Sequence, residues 1–120
     1  EDNIFVLGKI NFEYVIALLK QTDIFCLPTD YPEGFPTSVL EAAACKCFII
    51  TTKSGGSKEL IINSNYGIIV KDNTCDELNE SLKYVINNKE YQCKAKELTY
   101  TRLIENFTWD IVADKVMRLN

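Results

Sequence analysis

The sequence predicts an α/β fold, an open parallel sheet of about four strands with flanking helices and a helical C-terminal segment. Four short apolar runs recur along the chain, and each is continuous rather than alternating, which is typical of strands buried on both faces of a parallel sheet. Helical segments separate these runs, and no glycine- or proline-rich linker interrupts them. This alternation indicates right-handed crossovers in a doubly wound sheet, with residues 1–120 forming a single domain.

The predicted elements follow one another in chain order. The strands correspond to residues 3–8, 23–28, 47–52 and 66–70. The first helix is predicted to begin after Gly8 with Asn11 as N-cap, and the second to run from Pro36 to Lys46. A short helical turn is predicted after Ser57. Three further helices are predicted to start at the capping-box sequence "TCDE" (74–77), to run from about Glu90 to Glu105, and to follow Thr108.

Composition excludes several classes of function. The net charge of −4, with few and scattered basic residues, argues against nucleic acid as a partner. The chain has five cysteines and no histidine, so it lacks the usual zinc pairs and the Ser–His and Cys–His nucleophilic pairs. We interpret the cysteines as reduced thiols of a cytoplasmic protein, with Cys26 and Cys45 in the core. Chemistry must therefore rest on carboxylates, backbone amides or residues outside this chain.

The stretch "YPEGFPTSVLEAAACK" (31–46) leads from the second predicted strand into an alanine-rich helix. In open α/β sheets, ligands bind at the carboxyl ends of the strands, where this stretch lies. Gly34 allows close approach of the backbone to a ligand, and Pro36 is a favourable first helical residue. The free N–H groups around Thr37, Ser38 and Val39, together with the helix dipole, would suit a phosphate.

Two acids lie on either side of this helix start. Glu41 shares a face with Ser38, one turn into the helix, where its carboxylate could accept two hydrogen bonds from a ribose diol. Glu33 could accept hydrogen bonds from a sugar on the far phosphate, so the pair would match the two ends of a sugar nucleotide. The alternative from spacing alone is that Glu33 is a solvated loop acid and Glu41 a surface helix acid. A second loop, "KSGGSKE" (53–59), reaches the same edge, and by itself is as consistent with a plain turn.

The segment "EGFPTSVLE" resembles the E-x7-E signature of retaining glycosyltransferases of the GT-B fold, family 4. The segments "FVLGKI", "LKQTDIFCLPTDYPEGFP", "EAAACKCFIITTKSGGSKELI", "YGIIV" and "ENFTWDIVADKV" resemble further blocks of that family in the same order. The resemblance covers essentially all 120 residues. It implies the Rossmann-like C-terminal donor-binding domain of such an enzyme, truncated at its N-terminus.

The resemblance also implies roles for individual residues. Glu33 would contact the donor sugar as the catalytic residue, and Glu41 would bind the ribose diol. Backbone amides between Gly34 and Val39 would hold the diphosphate, in a binding segment that also includes Phe35, Pro36 (which has no N–H), Thr37 and Ser38. The loop at Gly8, Lys9 and Ile10 would lie near the nucleobase. The donor would be a nucleotide diphosphate sugar, with no metal and no other cofactor.

The sequence departs from the family pattern at Lys46, at Phe48 and Lys58, which stand where proline is usual, and in its extent. Lys46 stands where the family usually has glycine, in a left-handed conformation that costs other residues about 1 kcal/mol. Two preceding strands, whose arginine and lysine neutralise the leaving diphosphate, and the acceptor-binding domain are absent from this sequence. We therefore expect no turnover from the isolated chain. The strand at 3–8 would lack its neighbour, and would pair with another copy, shift within the sheet or be completed by a separate chain.

The resemblance predicts transfer of a sugar to a carbohydrate or lipid-linked acceptor bound by the missing domain. The form "EGFP" favours bacterial enzymes of surface polysaccharide synthesis. The full-length protein would then be cytoplasmic, at the inner face of the membrane. The alternative is a noncatalytic module of the same fold that binds a nucleotide or a protein partner. A metal-dependent hydrolase has little support without histidine or clustered ligands.

Overall fold

The computed structural model describes residues 3–29, 37–53 and 56–107, and these form three parallel strands and five helices. In chain order the elements are α1 (Phe12–Leu19), β1 (Ile24–Leu27), α2 (Thr37–Ala44), β2 (Phe48–Thr52), α3 (Ser57–Leu60), β3 (Ile68–Val70), α4 (Cys75–Ile86) and α5 (Lys89–Asn106). The predicted α/β class, the parallel sheet and the order of these elements are confirmed. The helix predicted after Thr108 lies outside the described residues.

The sheet has the order β1-β2-β3, with Ile24 opposite Phe48 and Ile50 opposite Ile68. Gly67 precedes β3, and a Cβ atom added there would lie 2.8 Å from the Ile49 carbonyl oxygen. A larger residue would push β3 away from β2. β2 is central and buried throughout, whereas every residue of β1 is only half-buried because β1 forms an edge of the sheet.

The prediction of a fourth strand at residues 3–8 is wrong for this chain. Residues 4–8 form no regular structure, and the four apolar side chains from Ile4 to Leu7 are 55–95% exposed. The physical reason is that the described sheet offers this segment no partner, because β1 pairs only with β2. An apolar run cannot become a strand without a neighbouring strand to accept its hydrogen bonds. Gly8, at φ 68°, then turns the chain toward α1.

The side chains of β2 alternate between two cores, one on each face of the sheet. Ile49 packs in the larger core, where α1, α2, α3 and the C-terminal half of α5 meet. Phe48 and Ile50 pack in the second core, against β3, α4 and the N-terminal half of α5. Phe48 is 1% exposed and makes an edge-to-face contact with Tyr91 of α5 at 5.4 Å between ring centroids. α5 therefore spans both cores.

Lys46 ends the α2 segment in the left-handed conformation expected at this position, with φ 59°. This prediction is confirmed. The side chain offsets part of the backbone cost, because its Nζ atom lies 3.3 Å from Glu97 Oε1 and 4.7 Å from the centre of the Tyr100 ring. Both partners belong to α5, so the irregular turn is held from outside α2.

Side chains of α5 also donate hydrogen bonds to backbone carbonyls of α3 and of the segment between α3 and β3. The Tyr91 hydroxyl donates to the Ser64 carbonyl and the Thr99 hydroxyl to the Tyr66 carbonyl. Arg102 donates to the Glu59 carbonyl through both Nε (2.9 Å) and Nη2 (2.6 Å). Each of these side chains supplies a donor to a backbone carbonyl that regular structure leaves unused. The stretch from Glu59, in α3, to Tyr66, before β3, is thus bonded to α5 at three carbonyls.

The capping box predicted at α4 is formed in one direction only. Thr74 is the N-cap, and its side chain accepts the Glu77 N–H at 3.1 Å. The Glu77 carboxylate reaches further back than the N-cap, accepting the N–H groups of Lys71 (2.7 Å) and Asp72 (2.9 Å). These two hydrogen bonds lower the pKa of Glu77, and the bond from Lys71 has the larger effect. The carboxylate therefore ties the exit of β3 to the start of α4.

The Glu77→Gln variant is expected to be less stable than the wild type at neutral pH. Because the pKa of Glu77 is lowered in the folded state, its stabilising contribution is present above the unfolded value of about 4.3 and is lost as the pH falls through the folded value. Urea unfolding at several pH values should show a difference at pH 7 that shrinks under acid. Glu80→Gln, on an exposed face of α4, is the control. If the difference in unfolding free energy between Glu77→Gln and the wild type stayed constant across this pH range, the stabilising role of the Glu77 carboxylate would be contradicted.

The five cysteines are all free thiols, as predicted. Their burial differs from the prediction, because Cys26 and Cys45 are half-buried and Cys47 is the thiol in the core. Within the described ranges, the helices are all too short or too polar to cross a bilayer.

Candidate functional site

The N-terminus of α2 lies at the carboxyl edge of the sheet. α2 connects β1 to β2, which are adjacent and parallel, so it must run back from the carboxyl end of β1 to the start of β2. Its first four N–H groups have no partner within the helix and point toward that edge. β2 and β3 are parallel to β1, so their exits at Lys53 and Lys71 reach the same edge of the sheet.

The first two turns of α2 divide into a buried and an accessible side. Val39, Ala42 and Ala43 are at most 1% exposed and fix the helix against the sheet. Ser38 and Glu41 are half-buried and share the other side, one turn apart. Among the described residues, the Glu41 carboxylate has no hydrogen-bond or ion-pair partner. A partly desolvated, unpaired carboxylate one turn below a helix start can accept hydrogen bonds from a ligand held there.

The predicted site residues fall into three groups. Thr37, Ser38, Val39 and Glu41 are brought together on the first two turns of α2. Lys9 and Ile10 lie just before α1, and within the described ranges no hydrogen bond or ion pair joins them to α2. The remaining four, Glu33, Gly34, Phe35 and Pro36, lie outside the described residues, so their predicted roles stay predictions.

Three hydroxyl groups near this edge were not singled out from the sequence. Thr51 and Thr52 are buried, and both make hydrogen bonds to the exit of β1. Ser57 is fully buried at the start of α3, and its hydroxyl has no hydrogen-bond partner in the described part of the chain. A hydroxyl in a β-branched run or beside a glycine pair gives no sequence signal of its own, because its partner depends on strand register.

The thiols near α2 are poor nucleophiles. Burial raises the pKa of Cys45, and the nearby Glu41 carboxylate raises it further while Lys20 lowers it. Burial raises the pKa of Cys47 to about 11, and its Sγ donates to the Leu19 carbonyl. Because the thiolate is the reactive form, these side chains stay protonated and unreactive at neutral pH. These two thiols, which lie beyond the C-terminal end of α2, therefore take no part in the candidate chemistry.

A groove of about 780 Å³ runs along the outer side of α5, lined by residues such as Tyr66, Leu98 and Arg102. None of the described candidate residues, which lie on α2 and before α1, lines it. Its size therefore has no bearing on the carboxyl edge of the sheet.

Comparisons with known proteins agree in the class of protein they find. Residues 1–102 match the family described as "Glycosyl transferases group 1". A probable sucrose-phosphate synthase of Thermosipho melanesiensis is 35% identical over 83% of this chain and 22% of its own length. An N,N'-diacetylbacillosaminyl-diphospho-undecaprenol α-1,3-N-acetylgalactosaminyltransferase of Campylobacter jejuni is 32% identical over 88% of this chain and 27% of its own length. The chain thus spans about a quarter of these curated relatives.

The fold is similar to that of a solved sucrose-phosphate synthase from Thermosynechococcus elongatus. The TM-score is 0.84 at 21% identity, covering 98% of this chain and 29% of that protein. At this identity the likeness shows the fold alone, which is the α/β arrangement described above.

Proposed function

The chain belongs to the glycosyl transferases group 1 family, and we propose that it is the donor-binding part of an enzyme that transfers a sugar from a nucleotide diphosphate sugar. The observation that carries the proposal is the half-buried Glu41, which has no partner among the described residues and lies on the same side of α2 as Ser38, below the helix start. In the proposed complex the diphosphate lies against the N–H groups between residues 34 and 39, to which Pro36 contributes none, and the helix dipole stabilises its charge. Glu41 accepts the ribose diol, Glu33 contacts the donor sugar, and Lys9 and Ile10 lie near the base.

The proposed reaction retains the anomeric configuration, as in the GT-B enzymes of family 4 that the signature resembles. The leaving phosphate assists the acceptor from the same face, and no metal takes part. Charge on the departing diphosphate is stabilised by helix dipoles and by cations outside this chain, so the isolated chain is expected not to turn over. A transfer assay in which this chain alone gave sustained product formation would contradict that expectation.

The proposed acceptor is a carbohydrate or a lipid-linked sugar of bacterial surface polysaccharide synthesis. Its support is the name of the Campylobacter jejuni relative, which specifies a diphospho-undecaprenol acceptor. Acceptor binding belongs to the missing domain, at the cytoplasmic face of the membrane. The relatives in this family also include a glycogen synthase, so family membership alone allows acceptors other than the proposed one.

Titration calorimetry with UDP, GDP and ADP tests the donor-binding proposal most directly. We expect one nucleotide to bind and the others to bind more weakly, because the base is recognised separately from the diphosphate. Inorganic pyrophosphate is the control for binding to the helix start alone. Absence of binding by all three nucleotides would favour the noncatalytic module over the donor site.

The exposed segment Ile4–Leu7 supports a second proposal, that this chain self-associates through it. Four adjacent apolar side chains facing water are uncommon on a monomer and indicate an interaction surface. Sedimentation velocity should show the mass rising with concentration in the wild type and remaining monomeric in Val6→Glu. Ile104→Lys, at an exposed apolar site on α5, is the control. A wild type that stays monomeric at all concentrations would contradict this proposal.

A further inference from the structure

Two buried threonine hydroxyls close the carboxyl end of the β1–β2 pair. Thr51 and Thr52 are 0% and 5% exposed. The Thr51 hydroxyl donates to the Leu27 carbonyl at 3.1 Å. The Thr52 hydroxyl donates to the Thr29 carbonyl at 2.5 Å and accepts the Thr29 N–H at 3.3 Å. One side-chain hydroxyl therefore bonds to both polar backbone groups of a residue beyond the neighbouring strand.

The Thr52 side chain acts where the backbone ladder stops. The last paired residues are Leu27 and Thr51, and Pro28 has no N–H with which to extend the pairing. The hydroxyl of Thr52 reaches one residue further and joins Thr29 to β2. A buried hydroxyl is retained only where its hydrogen bonds offset the cost of desolvation, and the preceding buried positions of β2 (48–50) are all apolar. The hydrogen bonds to Thr29 thus explain why position 52 has a polar side chain.

This anchor lies at one end of the segment that carries Glu33. Thr29 is the last described residue before the segment, and Glu33 follows it by four residues. At the other end, α2 is fixed by Val39, which is fully buried. The position of Thr29 therefore sets the point from which the chain leaves β1 toward Glu33.

We propose that Thr52 is a positioning residue of the donor site, which fixes Thr29, the point from which the chain leaves β1 toward Glu33. This inference rests on the proposed function, because it assumes that Glu33 contacts the donor sugar. It predicts that loss of the Thr52 hydroxyl affects the sugar end of the donor more than the diphosphate, which is held by α2.

Amide hydrogen exchange of Thr29, measured by NMR, tests the anchor independently of activity. Thr52→Val keeps nearly the same shape and removes both bonds, so we expect the Thr29 amide to exchange roughly tenfold faster. Thr52→Ser keeps the hydroxyl and should restore most of the protection. Thr51→Val is the matched control, since it removes a bond to Leu27 and none to Thr29. Unchanged exchange in Thr52→Val, or an equal increase in Thr51→Val, would overturn the proposal.

Calorimetry with UDP and UDP-glucose, GDP and GDP-mannose, and ADP and ADP-glucose tests the positioning role. For the pair that the wild type binds, Thr52→Val should weaken the nucleotide sugar roughly tenfold and the nucleoside diphosphate less than about twofold, with Thr52→Ser near wild type. Equal weakening of both ligands indicates a merely structural role and overturns the proposal. If the wild type binds none of these ligands, the proposed function itself fails and the positioning role falls with it.

Discussion

Replacing Glu41 with alanine is expected to weaken nucleotide binding by about 100-fold. The variant removes the carboxylate proposed to accept both ribose hydroxyls, and two hydrogen bonds to a charged acceptor together contribute about 3 kcal/mol. Glu41 is half-buried and has no described partner to replace, so the loss should appear in binding rather than in folding. Titration calorimetry measures the affinity, and urea unfolding checks that the stability of the variant is unchanged.

A 2′-deoxynucleotide gives the Glu41 test its specificity. The wild type should bind the ribonucleotide more tightly than the 2′-deoxy form, and Glu41→Ala should abolish most of that preference. Glu105→Ala, which removes a negative charge from an exposed site on α5, should leave both affinities unchanged. An equal weakening of both nucleotides by Glu41→Ala would mean that the carboxylate acts on something other than the ribose.

The Phe48→Ala variant should lose about 3–5 kcal/mol of its free energy of unfolding, as expected for truncation of a buried aromatic side chain. Phe48 is 1% exposed in the central strand and contacts Tyr91 of α5 edge to face. The substitution therefore leaves a cavity and removes the aromatic pair, at a position where the sheet, α4 and α5 meet. Because domains of this size are stable by only about 5–15 kcal/mol, the loss is a large fraction of the total.

Urea unfolding monitored by circular dichroism measures this effect. The control is Phe12→Ala, because Phe12 is 62% exposed and its removal should change stability by less than about 0.5 kcal/mol. A loss below about 1 kcal/mol for Phe48→Ala would mean that the second core can collapse around the missing ring.

The fold was predictable wherever the sequence pattern and the sheet agree. The central strand and the three helices after it follow from local signals that the described structure satisfies internally, whereas the left-handed Lys46 was expected from the resemblance to the family. The segment 3–8 has the same continuous apolar pattern, yet it forms no strand. An apolar pattern indicates that a segment can form a strand. Pairing also requires a neighbouring strand, which is supplied by residues distant in the sequence or outside the chain.

The candidate site was predictable to a different extent. The shared face of Ser38 and Glu41 was predicted from their spacing, because helix geometry places residues three apart on one side, while the role of Glu41 rests on the resemblance and stays a prediction. The hydroxyls of Thr51 and Thr52 could not be identified in this way, because their partners on the exit of β1 depend on the register between two strands. Similarly, the capping-box sequence correctly predicted the Thr74 bond but not the bonds from Glu77 to Lys71 and Asp72.

The hydrogen bonds from α5 to three carbonyls of the stretch from Glu59 to Tyr66 have a consequence for the order of folding. The bonded residues are 27, 33 and 43 positions apart along the chain, so closing each loop costs entropy before any bond forms. The stretch should consequently become ordered late, when α5 docks, and the two should open together as one cooperative unit. A substitution that destabilises α5 should then also destabilise the segment that precedes β3, in the middle of the polypeptide.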